Sequence, residues 1–255
     1  MFEKLEIKRS FYNHFSNEMD KNGALPLFYE ILSYGNAYVV GGFFRDFLLN
    51  KKSRDIDVIV DIDNDLLLEI LKNNALQYAV NRHGGIKVIF KHYTLDIWTI
   101  SNNWAFKNNL VKLNNEDKLN SIAKGCFYNY DALVINIMDY SYNLRFFKDF
   151  FQNKTLNILQ EKSLYKNLNP SVEANILRSI YLKKEFQISM SNNTFYYLLK
   201  KIGQLSDKYD SVQDHLRLVK KSYPKYNLVT DLDITQFIHY LKYDVNPNNQ
   251  LSLDL

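Results

Sequence analysis

Cysteine is almost missing from this chain: Cys126 stands alone. One thiol makes no internal disulfide and is too little for a cysteine-built zinc site, which fits a reducing compartment. A catalytic cysteine needs a basic neighbour in space, so Cys126 is read as a small residue at a strand edge. Four prolines and eight glycines in 255 residues argue against a long flexible linker. No window approaches the roughly 18 to 20 apolar residues of a membrane span. The charged N-terminus, MFEKLEIKRSFYNHFSNEMD, has no apolar core of a signal peptide. A soluble, cytoplasmic protein with no membrane partner is expected. The five histidines, at 14, 83, 92, 215 and 239, show no H-x-x-x-H or H-E-x-x-H spacing, so a zinc site is not expected.

What is present is ordinary for a folded protein: 46% hydrophobic residues and 24% charged ones, enough for one large or two small domains. A net charge of +4 permits a polyanionic partner without demanding one. Lysine doublets recur at 51–52, 183–184, 200–201 and 220–221, and those in the helical part could line a groove for an RNA backbone, although each taken singly reads as a solvated face.

Residues 3–20 space Leu5, Ile7, Phe11, Phe15 and Met19 as an amphipathic helix does, and residues 26–34 read as a second helix ended by Gly35. AYVVGG reads as a buried strand, FFRDFLL as a short helix, DIDVIVDID as a half-buried strand and DNDLLLEILKNNA as a helix. GGIKVIFKHY and TLDIWTI read as two strands with a turn at His92–Tyr93. YDALVINIM reads as another strand, with NLRFFKDFF pairing beside it. After about residue 154 the pattern turns helical, at 172–186, 194–206, 211–221 and 233–242, and the tail from 244 is read as frayed. The expectation is an α+β domain over 1–154 and a helical domain over 155–255.

The chemistry concentrates in YVVGGFFRDFLLNKKSRDID, residues 38–57. Asp55 and Asp57 are two apart on a strand, so both carboxylates leave one face and can converge on one metal. Such oxygen ligands suit magnesium, with manganese as the alternative. Asp61 and Asp63 continue the alternation towards the next helix. Asp96, set among Leu95, Ile97 and Trp98, is the candidate third acid on a neighbouring strand. Gly41 and Gly42 lie between a strand and a helix, where missing side chains let backbone N–H groups approach a triphosphate. Arg45 either adds charge there or pairs with a carboxylate.

G-G-x-x-R-D-x-L-L followed by D-x-D, carried by Gly41, Gly42, Arg45, Asp46, Leu48, Leu49, Asp55 and Asp57, resembles the head domain of class II tRNA nucleotidyltransferases and bacterial poly(A) polymerases. These belong to the polymerase-beta-like nucleotidyltransferase superfamily. The resemblance covers roughly residues 25–150 and, more weakly, reaches about 185. It implies a small mixed sheet with helices on one side and a helical neck. It implies two magnesium ions on Asp55 and Asp57, a triphosphate held by Gly41 and Gly42, and attack by a 3′-hydroxyl on the α-phosphate. Asp96 matches by position a later acid, and HGGIKV, residues 83–88, resembles the strand before it.

Two later motifs depart from that pattern. The family's R-R-D-F-T-I-N-A-L-A-Y meets GCFYNYDALVI, residues 125–135. One register puts Asp131 where the asparagine stands; the other makes it the aspartate, with a residue inserted before Asn136. The base-reading E-D-P-x-R-x-L-R-A meets SVEANILRS, residues 171–179, keeping Leu177 and Arg178 with Asn175 in place of an arginine. Asp131 and Arg178 join Gly41, Gly42 and Arg45 as candidate nucleotide-binding residues. The implied function is magnesium-dependent transfer of a nucleoside monophosphate from an NTP to an RNA 3′ end. The alternatives are a protein or small-molecule acceptor, or an inactive nucleotide- or RNA-binding homologue.

Overall fold

The computed structural model describes residues 4–160 and 171–243; the tail from 244 lies outside them. The chain divides into two compact units, Met1–Phe147 and Lys148–Leu255.

The first unit opens with α1 (Lys4–Lys21) and α2 (Leu25–Tyr34). Ile7, Phe11, Phe15 and Met19 recur at helical spacing and are all buried, while Leu5 points out at 78% exposure, against the expected stripe. The strands are β1 (Ala37–Val40), β2 (Asp55–Val60), β3 (Tyr78–Val80), β4 (Ile86–Ile89), β5 (Thr94–Thr99), β6 (Val134–Asn136) and β7 (Tyr142–Asn143). They form one mixed sheet in the order β3-β4-β5-β2-β1-β6-β7. Among the described strands of this sheet only β2 and β5 pair in parallel; their crossover carries α4 (Asn64–Asn73) and the hairpin of β3 and β4. The helices α3 (Gly42–Leu48), α5 (Trp104–Lys107) and α6 (Lys118–Gly125) complete the unit.

The sheet is two-faced. Ile56, Val58, Ile86, Val88, Leu95 and Ile97 alternate onto one face and are each at most 1% exposed. The residues between them, Asp55, Asp57, Lys87, Thr94 and Asp96, lie on the other face and keep solvent access. Burial of the first set holds the sheet; the second set stays within reach of solvent.

α1 is pinned to α3 by aromatic rings. Phe11 sits with its ring centroid 5.0 Å from Phe44 and 5.2 Å from Phe47, both edge-on, and Phe15 meets Phe28 edge-on at 5.0 Å. His14 stacks on Phe43 and Phe47 at 5.1 and 5.2 Å. Burial pushes its pKa below the ordinary 6.5, against the charge of Glu18 and with that of Lys21. The unfolded chain therefore binds a proton more readily than the folded one. Stability is expected to fall as the pH drops through 6.5 towards the folded pKa. Thermal unfolding of wild type and His14→Phe between pH 7 and 5 checks this, and the variant's melting temperature should vary less over that range.

Two readings need correction. NLRFFKDFF is not a strand: only Tyr142–Asn143 pairs with β6, and Arg145–Asn153 is α7. Leu144, Phe147 and Phe150 fall three apart and are all buried, which is a helical stripe that outweighs the strand preference of phenylalanine. Cys126 lies at no strand edge but at the C-terminal cap of α6, its N–H donating to the Ala123 carbonyl.

The second unit contains α8 (Val172–Phe186), α9 (Asn192–Ser206), α10 (Val212–Lys220) and α11 (Asp231–Tyr243). Ser171, Ser191 and Ser211 cap the first three, each hydroxyl accepting from an amide in the first turn. A two-residue parallel pair, β8 (Thr155–Leu156) with β9 (Ser189–Met190), ties the start of the unit to the end of α8. Among the described residues no helix is long and apolar enough to cross a membrane.

Candidate active site

β1 ends at Val40, and the chain turns sharply at Gly41 into α3. Gly41 has φ +67° and ψ −116°, a region L side chains rarely enter. Its N–H donates to the Leu133 carbonyl at 2.9 Å, so Gly41 supplies shape rather than a donor for a ligand. Gly42 is different: a Cβ there would meet nothing nearer than Arg45 Nη2 at 3.8 Å. A Cβ there would fit in ordinary contact without a clash, and the first-turn N–H groups of α3 have no carbonyl one turn back to accept them. Gly41→Ala is expected to cost about 1–3 kcal/mol through backbone strain. Gly42→Ala should leave folding unharmed, since alanine suits a helix better, yet raise KM for a nucleotide by about tenfold, roughly 1.4 kcal/mol of lost binding. Melting temperature and steady-state kinetics separate the two.

Arg45 is held from two sides. Its Nη1 donates to Asp131 Oδ1 at 2.8 Å, and its Nε and Nη2 donate to Asp46 Oδ1 at 3.1 and 3.0 Å. The guanidinium lies 4.8 Å from the centre of the Tyr130 ring, and the Ser53 hydroxyl donates to the other oxygen of Asp46 at 3.2 Å. Of the two roles open to Arg45 in sequence, the geometry displays the pairing with carboxylates. It fastens the glycine turn to the 3-10 turn Asn129–Asp131, which precedes β6. Asp131 thus reaches the site region through Arg45. Arg178 belongs to the second unit, on α8.

The acids sit one strand further along. Asp57 pairs in register with Val40 on β1 and with Asp96 on β5, and Asp96 pairs with Lys87 on β4. Residues in register share a face, so Val40, Asp57, Asp96 and Lys87 form a row across four strands, with Asp55 one pleat away beside Asp57. Burial pushes the Asp96 carboxyl above its usual range; Lys87 pulls it down, and the charge of Asp55 pushes it up again. Lys87 Nζ stands 3.5 Å from Asp96 Oδ1. Arg54, 71% exposed along its side chain, donates to Asp55 Oδ2 at 2.7 Å. Its pKa rises through that hydrogen bond and charge, with a smaller contribution from Asp57.

The donor set fits a hard divalent cation. It is all carboxylate, it opens to solvent, and it is backed by an apolar sheet. Among the described residues no group of three or more His, Cys, Asp and Glu side chains is arranged to hold a metal ion. Magnesium asks for less: one or two carboxylates, with waters and substrate phosphates completing its shell. Asp61 and Asp63 stand apart from this set. Asp61 pairs with Lys118, and Asp63 is the N-cap residue of α4.

Sequence reasoning passed over Lys87, Arg54, Ser53 and Tyr130. Lys87 left one trace, a charge on the alternation opposite to Ile86 and Val88. Its register with Asp96 has no such trace. His83 is half-buried; its Nε2 accepts from Arg82, and its ring meets Trp104 edge-on at 4.9 Å.

Comparison with known proteins bears on the fold that carries these residues. Residues 37–162 match the family described as the poly A polymerase head domain. No curated protein matches the chain significantly. Among solved structures, a CCA-adding enzyme with CTP superposes with a TM-score of 0.57 at 17% identity, covering 81% of this chain and 47% of the other. A Thermotoga maritima CCA-adding enzyme complexed with tRNA gives 0.55 at 18%, covering 81% and 48%. A tRNA nucleotidyltransferase complexed with a primer tRNA and an incoming ATP analogue gives 0.53 at 18%, covering 82% and 57%. The chain thus spans about half the length of these solved relatives. Its fold is α+β, a mixed-sheet head followed by a helical part, and through residues 37–162 the chain is similar to the poly A polymerase head-domain family.

Proposed function

We propose that the chain is a magnesium-dependent nucleotidyltransferase that moves a nucleoside monophosphate from an NTP to the 3′-hydroxyl of an RNA. One observation carries this reading: three carboxylates, Asp55, Asp57 and Asp96, share the open face of a sheet whose adjacent strand ends in a bare glycine turn. Asp55 and Asp57 would hold the metal, which when bound supplies the positive charge that an attacking oxygen and a leaving pyrophosphate both need. Gly42 leaves room for the triphosphate, and Gly41 with the Arg45–Asp131 bracket fixes the turn. Asp96 lies where it can orient the attacking hydroxyl.

The test offers each α-labelled NTP, with magnesium or manganese, together with total RNA. Label entering RNA supports the reading, and its base composition names the nucleotide. Label absent from RNA under every condition overturns it.

A second reading, transfer to a protein or a small molecule, draws on α8. Asn175, standing in place of a base-reading arginine, is 1% exposed and donates to the Tyr197 hydroxyl at 3.5 Å. It is spent on packing the second unit, and Ser171 is spent as a helix cap. In that case the label would appear in protein or in a small product instead of RNA.

A further inference from the structure

We propose that Lys87 binds a backbone phosphate of the acceptor strand and so sets the attacking hydroxyl beside Asp96. This rests on the transfer reading above.

The row Val40–Asp57–Asp96–Lys87 has direction. At one end, Val40 leads into the glycine turn, where the triphosphate and its departing pyrophosphate would lie. Displacement at the α-phosphate is in-line: the attacking oxygen comes from the side opposite the leaving group. The acceptor must therefore enter over the other end of the row, across β5 and β4. Lys87 is the cation built into that end. Its side chain is 51% exposed and belongs to a strand, with Ile86 and Val88 anchoring the backbone on the buried face at 1% exposure each. An RNA acceptor carries a phosphodiester one sugar back from its 3′-hydroxyl, and a lysine beside the hydroxyl's own carboxylate partner is placed to meet it. The 3.5 Å separation from Asp96 is a loose ion pair, so a phosphate can share the ammonium without first breaking a tight hydrogen bond.

Lys87 could instead serve only to neutralise Asp96. The two roles separate by measurement. A fluorescent oligoribonucleotide with a free 3′-hydroxyl is titrated with wild type, Lys87→Ala and Lys87→Arg, without NTP, over a range of salt concentrations. The alanine variant should bind about fivefold to tenfold more weakly at low salt, and its dependence of log K on log salt should be shallower by about 0.7. Lys87→Arg should restore most of both. In turnover, KM for the acceptor should rise while KM for the NTP stays within twofold. Equal binding by wild type and Lys87→Ala, including no binding by either, overturns the proposal. So does a rise confined to the KM for NTP. Absence of label in RNA from wild type, with the binding difference intact, overturns the transfer reading and leaves the Lys87 contact standing.

Discussion

Asp57→Asn is expected to lower kcat/KM by about a thousandfold or more, roughly 4 kcal/mol of transition-state stabilisation. The change keeps the size of the side chain and removes its charge. Asp57 is exposed, so it contributes little to the core. It stands beside Asp96 and one pleat from Asp55, with the Arg54 cation also acting on it, so loss of its charge should change stability little. The melting temperature should hold steady or rise slightly. Activity lost together with stability would mean that the carboxylate is structural. Activity kept would remove metal-assisted transfer by this site. Titration of manganese by electron paramagnetic resonance gives an independent reading, in which the variant should bind the ion at least tenfold more weakly than wild type.

Phe11→Ala should cost about 3–5 kcal/mol in urea unfolding of the protein, near the upper end for one buried aromatic. Phe11 is fully buried and faces Phe15, Phe43, Phe44 and Phe47 together, so its removal leaves a void that several stiff rings cannot collapse to fill. Three of those rings belong to α3, the helix that begins at Gly42. The same substitution should therefore raise KM for the nucleotide, although Phe11 lies 26 residues before the family match begins at residue 37. Phe11→Leu, which refills most of the volume, should recover most of both effects. Recovery of stability without recovery of KM would separate α1 from the site.

The parts of the molecule that sequence discloses are those written in local order. β2 and its two aspartates follow from the alternation of Asp55 and Asp57 with apolar residues, and α8 follows from helical spacing in VEANILRSIYLKKEF. The glycine turn follows from two residues without side chains at a strand end. What depends on distant pairing stays hidden. Arg45 and Asp131 are 86 residues apart, and nothing near either announces the other. Asp96 stands out as an acid among apolar residues, but its place beside Asp57 requires β5 to cross over and lie parallel to β2. Lys87 joins that row only through a hairpin register. α7 was obscured because phenylalanines suit strands as well as helices, and nine residues are too few for periodicity to decide.

The two-faced sheet separates what must be preserved from what can be revised. Along β5, Leu95 and Ile97 answer to the fold, while Thr94, Asp96 and their neighbour Lys87 face away from the core and are free of its packing. A step of one residue crosses from one jurisdiction to the other. Under the proposed transfer reading, a lineage carrying this domain changes acceptors by substitutions at alternate positions of β4 and β5 without ever passing through an unfolded ancestor.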